Sequence, residues 1–219
     1  MKLNTIGVIG AGVMGNGVAQ VSAAAGYSAV VQDTNASALE RAKAGIESSL
    51  KKLAQKGKIS EKDLQVTMGR IQYTTELKKA CQDADLIVEA VFEDLAVKHE
   101  LFEKMENIAQ PDAILASNTS AIPITEIASV SSRGDKIIGI HFMNPVPLMK
   151  GVEIIRGQLT SDETFEAALN YIRSLGKEPI AAVDYAGFIV SRLVDVLMNE
   201  AVKMVQEGNR PEDIDKAME

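Results

Sequence analysis

Near the start of the chain an apolar run, Ile6-Gly7-Val8-Ile9, breaks off into Gly10-Ala11-Gly12-Val13-Met14-Gly15 and reopens as a stretch of small residues. Glycines at this spacing, behind a strand and ahead of a helix, leave few folds open. Gly10 lets the chain turn sharply out of the strand. Gly12 lets backbone approach a diphosphate with no Cβ in the way, and Gly15 lets the helix settle close on the sheet. The phosphates would rest on the first helical turn, at Val13 and Met14, where unpaired N–H groups and the positive end of the helix dipole face them. A second strand, Ser28 to Gln32, ends at Asp33. That is about twenty residues past the glycines, where an acidic residue accepts hydrogen bonds from the adenosine ribose. Asp33 would repel a 2′-phosphate, and Thr34-Asn35-Ala36-Ser37 offers no arginine to hold one. The cofactor expected is therefore NAD(H), in a doubly wound, mostly parallel α/β sheet of Rossmann type.

Further along, Ala36 to Lys56 carries Leu39, Ala42, Ile46, Leu50 and Leu53 at helical spacing and breaks at Gly57. Ser60-Glu61-Lys62-Asp63 reads as an N-cap with an acidic third position opening a short second helix. The two form a helical hairpin inserted over residues 36–69. Strands are expected at Ile71–Thr74, Leu86–Ala90, Ala113–Ala116 and Lys136–Ile140, with an amphipathic helix from Asp94 to Gln110. After Ile140 the alternation changes. The stretch from Phe142 to Gly151 holds Pro145 and Pro147 and is too short for a crossover helix, so Val152 to Arg156 should run antiparallel to its predecessor. A helix over Thr164–Leu175, an edge strand over Pro179–Val183 and helices over Phe188–Glu207 and from Pro211 complete the pattern. Residues 1–184 read as the nucleotide-binding domain and 185–219 as the start of an all-α C-terminal domain.

A chain of 219 residues can hold one large domain and a small one. No stretch approaches the ~20 uninterrupted apolar residues of a membrane span, and no basic-then-apolar leader precedes the first strand, so a cytoplasmic protein without membrane attachment is expected. The single Cys81 fits a reducing compartment and reads as a small buried hydrophobe. A net charge of −7 and the lack of Trp argue against nucleic acid as a partner. Arg41 to Lys62 runs the other way, with seven basic residues against Glu47 and Glu61. This local patch is a candidate polyanion site or a solvated helix face.

His141 stands at a strand's end, and Glu153 follows twelve residues later at the start of the return strand. A turn of that length can bring the two side chains face to face. A carboxylate on one imidazole nitrogen fixes the tautomer and raises the basicity of the other, as general acid–base catalysis requires. His99, on a charged helix, reads as solvated. Ser120, at a strand end one crossover earlier, is a hydroxyl donor for the same crevice or a helix cap.

Taken in order, five segments resemble the motif set of the 3-hydroxyacyl-CoA dehydrogenases, most nearly the short bacterial 3-hydroxybutyryl-CoA dehydrogenases. They are Gly10 to Gly15, Val88-Glu89-Ala90-Val91-Phe92-Glu93-Asp94, Ala116-Ser117-Asn118-Thr119-Ser120, His141-Phe142-Met143-Asn144-Pro145-Val146-Pro147 and Gly187-Phe188-Ile189-Val190. The resemblance implies a His141–Glu153 catalytic dyad, with Ser120 and Asn144 close to both substrate and nicotinamide and Glu93 and Lys98 on the cofactor. It implies that Lys52 and Lys56 hold the phosphates of coenzyme A, that no metal takes part, and that the helical C-terminal region forms a homodimer. Two departures stand out: Ser191 where the family has Asn beside the substrate's C3 oxygen, and Ala186 where it has Pro. Family members also continue for roughly sixty residues more, and the apolar 188–207 helix needs neighbours on more than one side, so the chain is expected either to self-associate through that helix or to be the remnant of a longer protein. The function implied is NAD-dependent interconversion of a short 3-hydroxyacyl-CoA and its 3-oxoacyl-CoA. Its rivals are another β-hydroxyacid dehydrogenase and a non-catalytic, crystallin-like relative.

Overall fold

The computed structural model describes residues 3–218. Five central strands are β1 (Thr5–Ile9), β4 (Leu86–Glu89), β5 (Ile114–Ser117), β6 (Ile137–Phe142) and β7 (Gly151–Arg156). Outer strands β2 (Ser28–Gln32), β3 (Ile71–Thr74) and β8 (Glu178–Ala182) complete one eight-stranded sheet in the order β3-β2-β1-β4-β5-β6-β7-β8. β1 to β6 are mutually parallel, β7 runs antiparallel to β6, and β8 parallels β7. Strand order reverses between β1 and β4, and an open α/β sheet opens its ligand crevice at such a switch point, beyond the strands' C-terminal ends.

Both faces of the sheet are covered, which is why β4, β5 and β6 are buried throughout instead of alternating with polar positions. On one face lie α1 (Val13–Ala24), α2 (Ala36–Gln55), α3 (Glu61–Gly69) and α7 (Asp162–Ser174), over Val8, Val31, Val88, Ile140 and Ile154. On the other lie α4 (Leu77–Cys81), α5 (Leu95–Ile108) and α6 (Ile124–Ala128), over Ile9, Ile87, Leu115 and Ile155. Fully buried Phe102 anchors α5 there; truncating such a side chain to alanine costs about 3–5 kcal/mol. Strand residues alternate between the faces, so the odd-numbered Glu89, Ser117, His141 and Glu153 all project to the α4–α6 side, at or next to the C-terminal edge of the parallel strands.

Local sequence accounts for most boundaries. Asn35 caps α2 by accepting from the Ser37 amide, and Ser60 with Asp63 forms a reciprocal capping box on α3. Ser161 opens α7 two residues earlier than its apolar pattern predicts, by accepting from the Thr164 amide. α5 ends at Ile108, short of the expected Gln110, because Ala109 turns extended ahead of Pro111. α4 and α6, five residues each, carry no periodicity that a sequence could display and are held by burial of Ala80, Cys81, Ile124 and Ile127. Burial pushes the Cys81 thiol up to about 12, so it behaves as the inert hydrophobe expected.

α8 (Val190–Gln206) and α9 (Pro211–Met218) follow, and neither contains a buried residue. No helix among the described residues is long and apolar enough to cross a membrane.

Candidate active site

At the glycine loop the structure offers backbone. Gly10 has φ +102°, open to glycine at little cost, and a Cβ on Gly15 would stand 1.9 Å from the Gly10 carbonyl oxygen. A Cβ on Gly12 would meet nothing within 4 Å, so the space in front of it is free for a ligand. Gly12 caps α1 without a side chain, which leaves first-turn N–H groups for a phosphate. Asp33 is partly engaged: Oδ2 accepts from the Ala11 amide at 3.0 Å and Oδ1 from the Asn35 amide at 2.9 Å. Its remaining lone pairs can still receive ribose hydroxyls. Beside it opens a cavity of about 450 Å³ lined by Ile9, Gly12, Asp33, Val91, Phe92 and Leu101, apolar enough for an adenine ring. These features fit NAD(H).

Beneath the crevice lies a charge network rooted in two buried groups, Lys98 and Glu89. Lys98 is 1 % exposed, with Nζ 2.8 Å from Glu89 Oε1 and 3.3 Å from Glu93 Oε2. Glu89, fully buried, also accepts from the Ser117 hydroxyl at 2.7 Å and the Val91 amide at 2.8 Å. Glu93 accepts from the Thr119 hydroxyl and from the amides of Ser120 and Ala121. Burial pushes the Glu93 carboxyl up, but the Thr119 hydroxyl, Lys98 and the two amides outweigh it and hold the group below its ordinary value. The turn that presents Ser120 is therefore clamped from below.

The third part crosses the antiparallel pair. His141 on β6 sits directly opposite Glu153 on β7, and side chains so paired share a face. Nδ1 of His141 lies 2.7 Å from Oε2 of Glu153. The other carboxylate oxygen, Oε1, accepts from the Ile189 amide at 2.9 Å and the Val190 amide at 3.0 Å, at the start of α8. The Phe188 ring is buried against His141, centroids 5.9 Å apart. Asn118 Oδ1 accepts from the Phe142 amide at 2.9 Å, tying the β5 turn to the β6 end. The loop after Phe142 is stapled by Lys177, whose Nζ donates to the carbonyls of Val146 and Met149, both at 2.6 Å. Burial holds that ammonium below its ordinary value. Val146 also lies so close to α1 that a Cβ on Gly17 would meet it at 2.5 Å.

Of the residues singled out in the sequence, His141 and Glu153 are hydrogen-bonded partners. Exposed Ser120 and Asn144 stand on turns next to the dyad's strands, and half-buried Ser191 follows the two amides that donate to Glu153. Ser120 does not cap α6, whose cap position is Pro123. Lys98, expected on the cofactor, is spent mainly on two carboxylates. Lys52 and Lys56 stay exposed on the hairpin, away from the dyad. His99 is not free in solvent: its Nε2 lies 2.8 Å from the Glu126 carbonyl oxygen. Glu89, Thr119 and Phe188 were not foreseen as site residues. All three lie inside the segments that carry the family resemblance, and Glu89 shows a second signal, a charged residue closing the apolar run Leu86-Ile87-Val88.

Comparison with known proteins shows the family. Residues 5–185 match the family described as 3-hydroxyacyl-CoA dehydrogenase, NAD binding domain, and residues 187–219 match the C-terminal domain of that family. A probable 3-hydroxybutyryl-CoA dehydrogenase of Deinococcus radiodurans is 47% identical over 213 residues, which cover 97% of this chain and 76% of the relative. The human mitochondrial hydroxyacyl-coenzyme A dehydrogenase is 42% identical over 96% of this chain and 69% of its own length. The crystal structure of (S)-3-hydroxybutyryl-CoA dehydrogenase from Ralstonia eutropha superposes with a TM-score of 0.93 at 39% identity, covering 99% of this chain and 77% of that one.

Proposed function

From the premise that this chain belongs to the 3-hydroxyacyl-CoA dehydrogenase family, we propose that it interconverts a short 3-hydroxyacyl-CoA, 3-hydroxybutyryl-CoA in the first instance, and the corresponding 3-oxoacyl-CoA. The observation that carries the reading is the buried His141–Glu153 pair at the end of the crevice whose other end fits NAD(H). The glycine loop and Asp33 would hold NAD, which when bound would supply the hydride acceptor. The chain's own residues handle the proton and the charge. A carboxylate oxygen only accepts, so Nδ1 of His141 carries the proton shared with Glu153 and Nε2 presents a lone pair. In oxidation Nε2 takes the hydroxyl proton from the substrate; in reduction it returns a proton to the C3 oxygen. The Ser120 hydroxyl stabilises negative charge growing on that oxygen, and Ser191 and Asn144 complete the polar surround. Glu93 and Lys98 hold the Ser120 turn and border the nicotinamide side.

Lys52 and Lys56 are assigned to the phosphates of coenzyme A, a charge pairing at the surface of the hairpin. Residues 1–184 form the nucleotide-binding unit and 185–219 begin a helical unit through which two copies associate; the changeover between the two family matches supports that division. The reaction is assigned to the cytoplasm, consistent with the reduced, buried Cys81. Following NADH absorbance while acetoacetyl-CoA is added to the purified chain tests the reading. Substrate-dependent oxidation of NADH is expected, and NADH binding without any oxidation would leave the non-catalytic alternative.

A further inference from the structure

Glu153 holds His141 with one carboxylate oxygen and the beginning of α8 with the other. α8 has no side-chain cap of its own, so its first N–H groups need an acceptor from elsewhere. The amides of Ile189 and Val190 find it in Oε1 of Glu153. They reach it because the chain just before them is left-handed at two successive residues, Gly187 at φ +79° and Phe188 at φ +48°. Glycine takes such a conformation freely, whereas for a bulky aromatic residue it is an outlier that surrounding structure must enforce. The enforcement is visible: Phe188 is only 3 % exposed, its ring leans on His141, and the Gly187 amide is tied to the Ala121 carbonyl next to the Ser120 turn.

We propose that the Gly187–Phe188 turn is a positioning device for the dyad: by aiming two amides at Oε1 it dictates which atom of residue 153 faces the imidazole, and through it which nitrogen of His141 carries the proton. The logic is one of donors and acceptors. Backbone N–H groups can only donate, so whatever occupies the Oε1 place has to accept. With glutamate the remaining atom, Oε2, is also an acceptor. Nδ1 must then donate, and Nε2 is left as the base. With glutamine the two amides of α8 capture the carbonyl oxygen and force the NH2 group toward His141. Nδ1 then has to accept, its proton moves to Nε2, and the base is lost although the ring, its packing and the α8 cap all remain. Were residue 153 free to choose, glutamine would turn its carbonyl toward Nδ1–H and the histidine would keep its working tautomer. This inference rests on the dyad assigned above, but the state of the imidazole is observable without any substrate.

The test is an imidazole ¹⁵N NMR spectrum of the full chain labelled in histidine. Only His99 and His141 contribute, and a His99→Gln sample assigns them. At a pH where both rings are neutral, wild-type His141 is expected to be protonated at Nδ1 and Glu153→Gln at Nε2. Turnover of acetoacetyl-CoA in that variant should fall by about 10⁴-fold, the scale of the carboxylate-to-amide change in a serine-protease triad, where the fault is likewise a wrong tautomer. His141 protonated at Nδ1 in Glu153→Gln would overturn the proposal. Gly187→Ala provides a second route should the first variant not fold, since a methyl there meets both the positive φ and Arg192 Cγ at 3.0 Å. It should lower kcat at least tenfold, leave the KM for NADH within twofold, and remove the hydrogen-bonded Nδ1 proton from the spectrum. An unchanged kcat, or a parallel loss of NADH affinity marking general damage, counts against the turn as a device. A wild-type chain inert toward acetoacetyl-CoA would defeat the proposed function, while the tautomer comparison would still decide this inference.

Discussion

The β1 side of the crevice and the β6 side present their chemistry in different currencies. Around Gly10 to Gly15 the ligand-facing groups are main-chain N–H groups, placed by turn geometry within one short stretch. Around His141 they are side chains, brought from β6, from β7 and from the approach to α8, more than forty residues apart at the extremes. Backbone donors survive substitution of neighbouring side chains so long as the glycines remain, because every residue brings the same amide. The side-chain half has no such redundancy, since each of its atoms belongs to one residue. The Glu89–Lys98–Glu93 network, buried at Glu89 and Lys98 and open to solvent at Glu93, sits between the two and braces the Ser120 turn. Function should therefore be separable between the halves, and a perturbation of the network should touch both.

The hardest break is His141→Ala. General acid–base catalysis contributes up to about 10⁴-fold, so kcat should fall at least as far as in Glu153→Gln. The Kd for NADH, from fluorescence titration, should stay within twofold, and a large loss of cofactor affinity would mean that the halves are not separable. Next comes Lys98→Met, which leaves two carboxylates without their buried counter-ion. Removing one partner of a buried pair costs about 3–5 kcal/mol, read from urea unfolding, and NADH affinity should weaken with it. The network also predicts a pH dependence. The folded Glu93 carboxyl titrates below its ordinary 4.5, so its contribution to stability is complete above that pH and drains away as pH falls through the lower folded value. Acid unfolding of wild type and Glu93→Gln should therefore converge at low pH, and a difference that grows there instead would contradict the sign.

Two smaller effects sharpen the comparison. Asp33 should favour NADH over NADPH by at least about tenfold in kcat/KM, worth about 1.4 kcal/mol, and Asp33→Ser should shrink the ratio. Equal use of both cofactors by the wild-type enzyme would remove Asp33 from its role. Lys52→Ala with Lys56→Ala should raise the KM for the CoA ester a few-fold, in line with roughly 0.2–1 kcal/mol per exposed pairing, and leave the KM for NADH alone. Added salt should raise the wild-type KM toward that of the variant.

Legibility in the sequence follows the same divide. The strand, turn and helix of the cofactor half lie within twenty residues, and the Ser60–Asp63 capping box is local too, so pattern alone locates both. The antiparallel return of β7 is readable because a proline-bearing loop that short excludes a crossover. Illegible are features whose cause lies far off in the chain. α4 and α6 are single turns fixed by what they bury, and His99 meets a carbonyl twenty-seven residues away. Lys98 looks like any surface lysine on a charged helix until Glu89 is found beneath it. The left-handed Phe188 has no sequence signature, because aromatic side chains do not choose that conformation by themselves. The apolar character of α8 was plain, yet nothing local could say that its firmest tie to the sheet is a borrowed carboxylate.

The contact between Gly17 and Val146 joins what the rest of the crevice keeps apart. A methyl group at position 17 has to push Val146, and the loop holding Val146 cannot simply lift, because Lys177 grips it at two carbonyls. The shove is passed along the peptide to Asn144, two residues upstream. The helix whose first turn is assigned to the diphosphate thus doubles as a gauge block for the height of the loop that carries Asn144. A substitution at residue 17 made to alter cofactor use would therefore also move Asn144, so the two ends of the crevice would change together.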